Sequence, residues 1–192
     1  MNDLLIMGLG NPGKDYEQTR HNVGANFVKL LSKHLDISLT EKEKFSSLYG
    51  SKKLEAIKIH LSIPTVYMNE SGKTVHEITK YLQIDLPDML IVHDELDLPT
   101  GKLKLKDSGG HGGHNGIRNI IDHLQGNTNF KRLRIGINHP ENHEDVTDYV
   151  LSQGSKKERE IIETAMQNAI PIVDKVIRGD WQEAMLDLHT EN

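Results

Sequence analysis

The sequence feature that most constrains the fold is an apolar run that stops abruptly at a glycine-rich loop near the N-terminus. Residues 4–7 are all apolar and predict a buried strand, which glycines and a proline then end. Apolar residues recur at helical spacing over residues 23–35 and predict a helix, with Asn22 as its N-cap. The strand end therefore delivers Asn11, and the helix start delivers His21, to the sheet edge where open α/β folds bind ligands.

Three glycines of this loop, Gly8, Gly10 and Gly13, match the spacing of a dinucleotide-binding loop. Such a loop must run directly into a helix, so that pyrophosphate lies at the helix N-terminus. Here Pro12 and a polar stretch come between the glycines and the predicted helix, which argues against a nucleotide site. The stretch alone leaves open a plain turn, in which His21 is an ordinary surface residue.

Strand and helix patterns alternate along the rest of the chain, with no internal repeat and no linker. They predict strands over residues 46–53, 54–63, 89–92, 101–106 and 131–137, and helices over 71–82, 117–124 and 155–188, the last with a second half opened by Pro171 and a break at Gly179. Residues 138–148 are polar and predict a flexible flap. The alternation predicts a single domain over residues 1–192, a three-layer α/β/α fold around a central mixed, mostly parallel twisted sheet.

Composition limits the class of protein. The 192 residues include no cysteine, which excludes a disulfide framework and a thiolate zinc site. No apolar run is long enough to span a membrane, and the first residues lack the basic segment of a signal peptide. We therefore expect a cytoplasmic protein with no membrane partner, a monomer or a small oligomer. The formal net charge of −5 argues against indiscriminate nucleic-acid binding but allows a local basic patch.

Polar side chains with catalytic potential lie at the ends of several predicted elements. A histidine such as His21, paired with a carboxylate such as Asp94, can activate a water molecule, because the carboxylate fixes the imidazole tautomer. The serine motif G-x-S-x-G is absent, so water is the expected nucleophile. The side-chain amides of Asn11, Asn69 and Asn115 can hold a peptide backbone or face a developing oxyanion, although turn capping is the commoner use of asparagine.

Two predicted strands carry basic residues on one face. Strict alternation places Lys102, Lys104 and Lys106 on one side of the strand over residues 101–106. Arg132 and Arg134 share one face of another strand. These residues either keep an edge strand from pairing with other chains or bind an anionic partner, and the pattern does not decide between the two.

A metal site is the main chemical alternative, since the chain holds 11 histidines. His111 and His114 are three residues apart, and His139 and His143 are four apart. Both pairs fall in predicted loops and neither matches a known ligand motif, so we expect no metal.

Six ordered blocks of this chain resemble bacterial-type peptidyl-tRNA hydrolases. The blocks lie at residues 8–13, 19–24, 67–72, 93–94, 112–117 and 132–137, so the match runs over most of the chain. The resemblance implies an enzyme that uses no metal or cofactor. It implies cleavage of the ester between the peptide and the 3′ end of tRNA, so that both are recycled. The partner implied is thus peptidyl-tRNA, bound at its acceptor end.

The resemblance also implies roles for individual residues. It makes His21 the general base and Asp94 the group that orients it. The adjacent helix start disfavours the imidazolium and Asp94 favours it, so we expect a working base near neutral pH. The substrate-binding residues that it implies are Asn11, Tyr16, Met68, Asn69, His114 and Asn115. The tRNA-binding residues that it implies are Lys102, Lys104, Lys106 and Arg134.

The chain departs from that family at residues 136–145. Relatives usually continue Gly-Ile-Gly, whereas this chain has Asn138 at the third position, followed by an acidic stretch at 141–145. The flap is therefore a poor candidate for binding phosphate, and His143 could do so only when protonated. Two other classes remain open: an RNA-binding relative without catalysis, and a metallohydrolase that uses the loop histidines.

Overall fold

The computed structural model describes residues 2–140 and 145–190. It contains the strands β1 (Asn2–Gly8), β2 (Thr40–Lys42), β3 (Ser47–Leu54), β4 (Ile57–Pro64), β5 (Met89–Glu95), β6 (Leu103–Lys106) and β7 (Lys131–Gly136). The helices are α1 (Val23–His34), α2 (Ser71–Leu82), α3 (Asn115–His123), α4 (Val146–Leu151), α5 (Lys156–Arg178) and α6 (Trp181–Thr190). Short 3₁₀ turns cover Arg20–Asn22, Glu43–Phe45, Met68–Glu70 and Leu86–Asp88.

All seven strands form one mixed sheet in the order β2-β3-β4-β1-β5-β7-β6. The four central strands β4, β1, β5 and β7 are parallel, and antiparallel pairs β2-β3, β3-β4 and β6-β7 complete both edges. This confirms the predicted α/β fold with a mixed sheet. No helix in the described part of the chain is long and apolar enough to cross a membrane.

Helices cover both faces of the sheet and make the fold three-layered. Leu4 and Ile6 of β1 pack with α1 and α5 on one face. Leu5 and Met7 pack with α2 and α3 on the other. The apolar run at residues 4–7 is continuous because a central parallel strand is buried on both faces.

The long helix α5 differs from the prediction at Pro171. A second half was expected to begin there, but the helix runs unbroken over Lys156–Arg178 with Pro171 inside it. A proline inside a helix costs about 3 kcal/mol, which the buried packing on either side of it, including Ala169 and Val173, offsets. The break at Gly179 is confirmed, since that residue ends the helix with a φ of 90°.

The segment over residues 138–148 is only partly the predicted flap. Residues 138–140 form a loop, and residues 141–144, including His143, lie outside the described residues. The last part is a helix, because Asp145 caps α4 by accepting a hydrogen bond from the Thr147 backbone N–H at 2.7 Å. The sequence did not predict α4, because the segment that leads into it is polar.

Candidate active site

The ends of two elements bring His21 and Asp94 together. His21 lies in the 3₁₀ turn Arg20–Asn22 that precedes α1, and Asp94 lies near the carboxyl end of β5. The Nδ1 atom of His21 is 3.0 Å from both carboxylate oxygens of Asp94. Both residues are buried, at 7% and 3% exposed, so little water screens the contact.

A second imidazole, that of His114, also contacts Asp94. Nε2 of His114 is 2.9 Å from Oδ1 of Asp94. Nδ1 of His114 accepts hydrogen bonds from the backbone N–H groups of Gly116 and Ile117, at 3.1 and 3.2 Å, and so caps α3. A ring nitrogen that accepts carries no proton, so Nε2 of His114 carries it and donates to Asp94.

These contacts determine the chemistry open to His21. The Asp94 carboxylate accepts the Nδ1 proton of His21, which leaves the Nε2 lone pair free to take a proton. Burial lowers the pKa of His21, but the charge of Asp94 and its hydrogen bond together raise it by more. The pKa of His21 is therefore above its usual value. Burial raises the pKa of Asp94, and the two imidazoles lower it more, so the carboxyl is ionised.

His93 lies beside this cluster but is not part of the candidate base. Its ring is buried and donates through Nδ1 to the Asp94 backbone oxygen at 2.6 Å. Burial, together with the neighbouring imidazole of His114, holds the pKa of His93 well below its usual range. His93 is therefore neutral and packs edge-on against His114, with ring centres 4.8 Å apart.

The loop that carries Asn11 is held by the side chain of Asn22, a role that the sequence did not predict. Asn22 was predicted to cap α1, but its side chain makes no capping bond. Instead its amide binds the backbone of Asn11 twice, at 2.8 Å to the N–H and at 2.9 Å to the oxygen. The Asn11 side chain accepts from the Met68 N–H at 2.8 Å, which leaves its NH₂ group available to a ligand.

These groups surround one cavity of about 340 Å³. All eight residues expected to be catalytic or substrate-binding line it, namely Asn11, Tyr16, His21, Met68, Asn69, Asp94, His114 and Asn115. The side-chain oxygen of Asn115 accepts from Arg118 at 3.1 Å, and its NH₂ group, which forms no hydrogen bond with the described residues, is likewise available as a donor.

Several lining residues were not expected from the sequence. Tyr67 is 54% exposed and packs edge-on against Tyr16 at the cavity, with ring centroids 6.4 Å apart. The helix α4 contributes Val146, Thr147, Val150 and Leu151. No signal in the polar segment before α4 pointed to this apolar wall.

The basic residues lie outside the cavity lining. The lysines lie on or just before β6, and the arginines lie on β7. Lys104 and Lys106 are half-buried on β6, and Lys102 precedes that strand. Arg134 pairs across strands with Lys104, and its guanidinium is 3.3 Å from Glu95. Arg132 shares the face of Arg134 as predicted, but it is buried and binds loop carbonyls.

Among the residues that the structure describes, one group of three side chains is close enough together to hold a metal ion. Ligand atoms of His21, Asp94 and His114 lie within 4.8 Å of one another. The cap on α3 requires Nε2 of His114 to be protonated, so a metal would have to displace that proton. Of the loop histidines, His139 pairs with Asp97 at 2.8 Å. The donors therefore fit a hydrogen-bonded triad better than a metal site.

Known proteins resemble this chain along its whole length. A family model described as peptidyl-tRNA hydrolase matches residues 5–192. A peptidyl-tRNA hydrolase of Saccharophagus degradans is 46% identical over 187 residues, covering 97% of this chain and 95% of the relative. One of Coxiella burnetii is 45% identical, with 97% of both chains covered. The crystal structure of the Acinetobacter baumannii peptidyl-tRNA hydrolase superposes with a TM-score of 0.93 at 41% identity, covering 98% of this chain and 95% of that one.

Proposed function

Because the chain belongs to the peptidyl-tRNA hydrolase family and hydrolyses the ester of peptidyl-tRNA, we propose that His21 is its general base. The observation that carries this proposal is the contact between Nδ1 of His21 and the Asp94 carboxylate at 3.0 Å. It leaves Nε2 as the one nitrogen of the His21–His114 pair that is free to accept a proton. Activation of water at neutral pH requires such a nitrogen.

The reaction then follows from proton transfer through Nε2 of His21. That nitrogen takes a proton from water as the water oxygen attacks the ester carbonyl carbon. The carbon–oxygen bond to the terminal ribose then breaks, and His21 returns the proton to the ribose oxygen. Asp94 stabilises the imidazolium formed in between, as a buried carboxylate does in other hydrolases.

The side-chain amides supply the remaining contacts. The NH₂ groups of Asn11 and Asn115 are free donors that can bind the peptide backbone and the oxyanion. Asn69 offers a third amide, while Tyr16 and Met68 provide apolar surface. In this proposal His114 acts through Asp94, by holding the carboxylate in its orientation.

We place the acceptor end of the tRNA against the basic residues Lys102, Lys104, Lys106 and Arg134. A basic edge beside the cavity can neutralise phosphates near the scissile ester. We further propose that residues 1–192 form one domain that acts as a monomer in the cytoplasm. One continuous sheet supports the single domain. The substrate, a product of translation, supports the cytoplasmic location.

Replacing Lys104 and Lys106 with alanine is expected to weaken tRNA binding and to flatten its salt dependence. Each lost phosphate contact should reduce the slope of log affinity against log salt by about 0.7–0.9. Binding of deacylated tRNA, measured over a series of salt concentrations, tests this. Alanine at Lys156 and Lys157, two exposed lysines at the start of α5, removes the same charge elsewhere. Equal slopes in both variants would show that the β6 lysines only protect an edge strand.

Removal of divalent ions is expected to leave the hydrolysis unchanged. The triad of His21, Asp94 and His114 is complete through hydrogen bonds, so excess EDTA should not slow release of peptide from N-acetylaminoacyl-tRNA. The purified protein is assayed with EDTA, and again after a divalent ion is added back. Activity that disappears with EDTA and returns with the ion would overturn the metal-free mechanism.

A further inference from the structure

The glycine-rich loop over residues 108–113 is held by one buried arginine. Arg132 of β7 is 2% exposed. Its Nη1 donates to the backbone oxygen of Gly110 at 2.7 Å, and its Nη2 donates to that of Gly109. The planar guanidinium is the side chain best suited to bind two consecutive carbonyls at once, because its donors have a fixed fork geometry.

The positive charge of Arg132 has little compensation from acidic groups. Glu95, the carboxylate that attracts it, is engaged by Arg134 at 3.3 Å. The Nε atom of Arg132 has no hydrogen-bond partner among the described residues, and the ring of Phe130 lies 4.7 Å from the guanidinium. Burial, together with the charge of Arg134, lowers the pKa of Arg132 to about 10, so the group is charged at neutral pH. A buried cation is costly, and its contacts with the loop are its main polar contacts.

The loop needs an anchor because glycine leaves its backbone free. Gly109, Gly112 and Gly113 have positive φ values of 122°, 56° and 84°, which side-chain-bearing residues rarely adopt. The first half of the loop contacts Arg132, whereas Gly112 and Gly113 in the second half line the cavity. A fixed first half therefore limits where the cavity wall can lie.

We propose that Arg132 is a positioning residue for the hydrolysis, which holds the glycine-rich loop so that Gly112 and Gly113 form a preorganised wall of the substrate cavity. The proposal rests on the proposed function, since it takes this cavity to receive the peptidyl end of the substrate. Arg132 acts only through the loop and contacts no reacting group.

Loss of this anchor should affect binding of the substrate rather than the chemical step. The dyad is held by other elements, His21 by the turn before α1 and Asp94 by β5. The start of α3 is held separately by the buried residues Ile117 and Ile120. Without Arg132 the substrate itself must order the loop, and that cost appears in KM.

The test compares Arg132→Met and Arg132→Lys in steady-state hydrolysis of N-acetylaminoacyl-tRNA. We expect KM to rise about tenfold or more for the methionine variant while kcat changes less than about twofold. The lysine variant should reverse only part of the rise in KM, because an ammonium group binds as a point charge and cannot form the fork of the guanidinium. The control is Lys131→Met, which removes a charge from the same strand; Lys131 lies over the ring of Trp181 and away from the loop.

A merely structural role for Arg132 would give a different pattern. Partial unfolding lowers kcat per total enzyme and the melting temperature, and leaves KM unchanged. In the Arg132→Ala variant, added guanidinium ion should lower KM toward the parent value, compared with sodium chloride at equal ionic strength. An unchanged KM in the methionine variant, or no effect of guanidinium, would overturn the inference. Since the parent enzyme and a His21 variant are assayed in parallel, failure at Arg132 is distinguished from failure of the general-base proposal.

Discussion

Replacing His21 with alanine is expected to lower kcat/KM for peptidyl-tRNA by about 10²–10⁴-fold, the contribution typical of a positioned general base. This corresponds to about 3–5 kcal/mol of transition-state stabilisation. Neither neighbouring histidine can substitute for it, because both ring nitrogens of His114 are engaged and the buried His93 does not line the cavity. The loss should appear in kcat with little change in KM, since the base acts only during the reaction. Release of peptide from N-acetylaminoacyl-tRNA measures both constants.

The matched control is His34→Ala. His34 ends α1, and its Nε2 is 3.1 Å from Asp174, so it forms a histidine–carboxylate pair of the same kind on the surface. This variant should keep the parent rate. Retention of most of the activity by the His21 variant, or a change confined to KM, would contradict the role of His21 as general base.

Replacing Asp94 with asparagine is expected to reduce kcat by about 10²–10⁴-fold, although the shape of the side chain is preserved. Both oxygens of the Asp94 carboxylate lie 3.0 Å from Nδ1 of His21, and Oδ1 also accepts from His114. An asparagine that keeps its oxygen toward His114 turns an NH₂ donor toward Nδ1 of His21. His114 cannot switch its tautomer without losing the cap on α3. His21 must therefore switch, which places the proton on Nε2 and blocks the base. The same change in a Ser-His-Asp triad costs about 10⁴-fold through the wrong tautomer.

The pH dependence of kcat/KM gives a further test of the His21–Asp94 pair, because the direction of its change can be predicted. The proposed base acts as a neutral imidazole, so kcat/KM should fall as pH drops through the pKa of His21. Because that pKa is raised, this fall, the acid limb, should begin at a higher pH than for an ordinary histidine. Asp94 contributes to that raised pKa, so the acid limb should move to lower pH in the Asp94→Asn variant. Asp174→Asn, in the surface pair with His34, should leave the limb in place. An acid limb at the same pH in both variants would show that Asp94 does not set the pKa of the base.

His21 and Asp94 could be placed from the sequence because each lies at the end of an element with a strong pattern. The apolar run of β1 and the helical spacing of α1 fix where the loop between them must lie. The run at residues 89–92 does the same for Asp94. Parallel central strands then bring these ends to one edge of the sheet. Local periodicity, together with the rule that parallel strands end at one ligand-binding edge, was enough to place His21 and Asp94.

Other parts depend on contacts that no local pattern reveals. His114 caps α3, although histidine is not among the usual capping residues, and the helix begins two residues before its predicted start. Asn22 occupies the predicted cap position, but its side chain holds the backbone of Asn11 instead. Both side chains also bind residues distant in sequence, since His114 contacts Asp94 and Asn22 contacts Asn11, and periodicity does not reveal such contacts.

The double use of His114 limits how this enzyme family can change over evolutionary time. One ring nitrogen caps the start of α3 and the other holds the carboxylate of Asp94, so one residue serves both the fold and the proposed reaction. Asparagine or serine at this position could cap α3, but their shorter side chains would not also reach Asp94. A single substitution of His114 therefore cannot keep one of its two contacts without losing the other. We therefore expect this histidine to persist among active relatives even where the rest of α3 diverges.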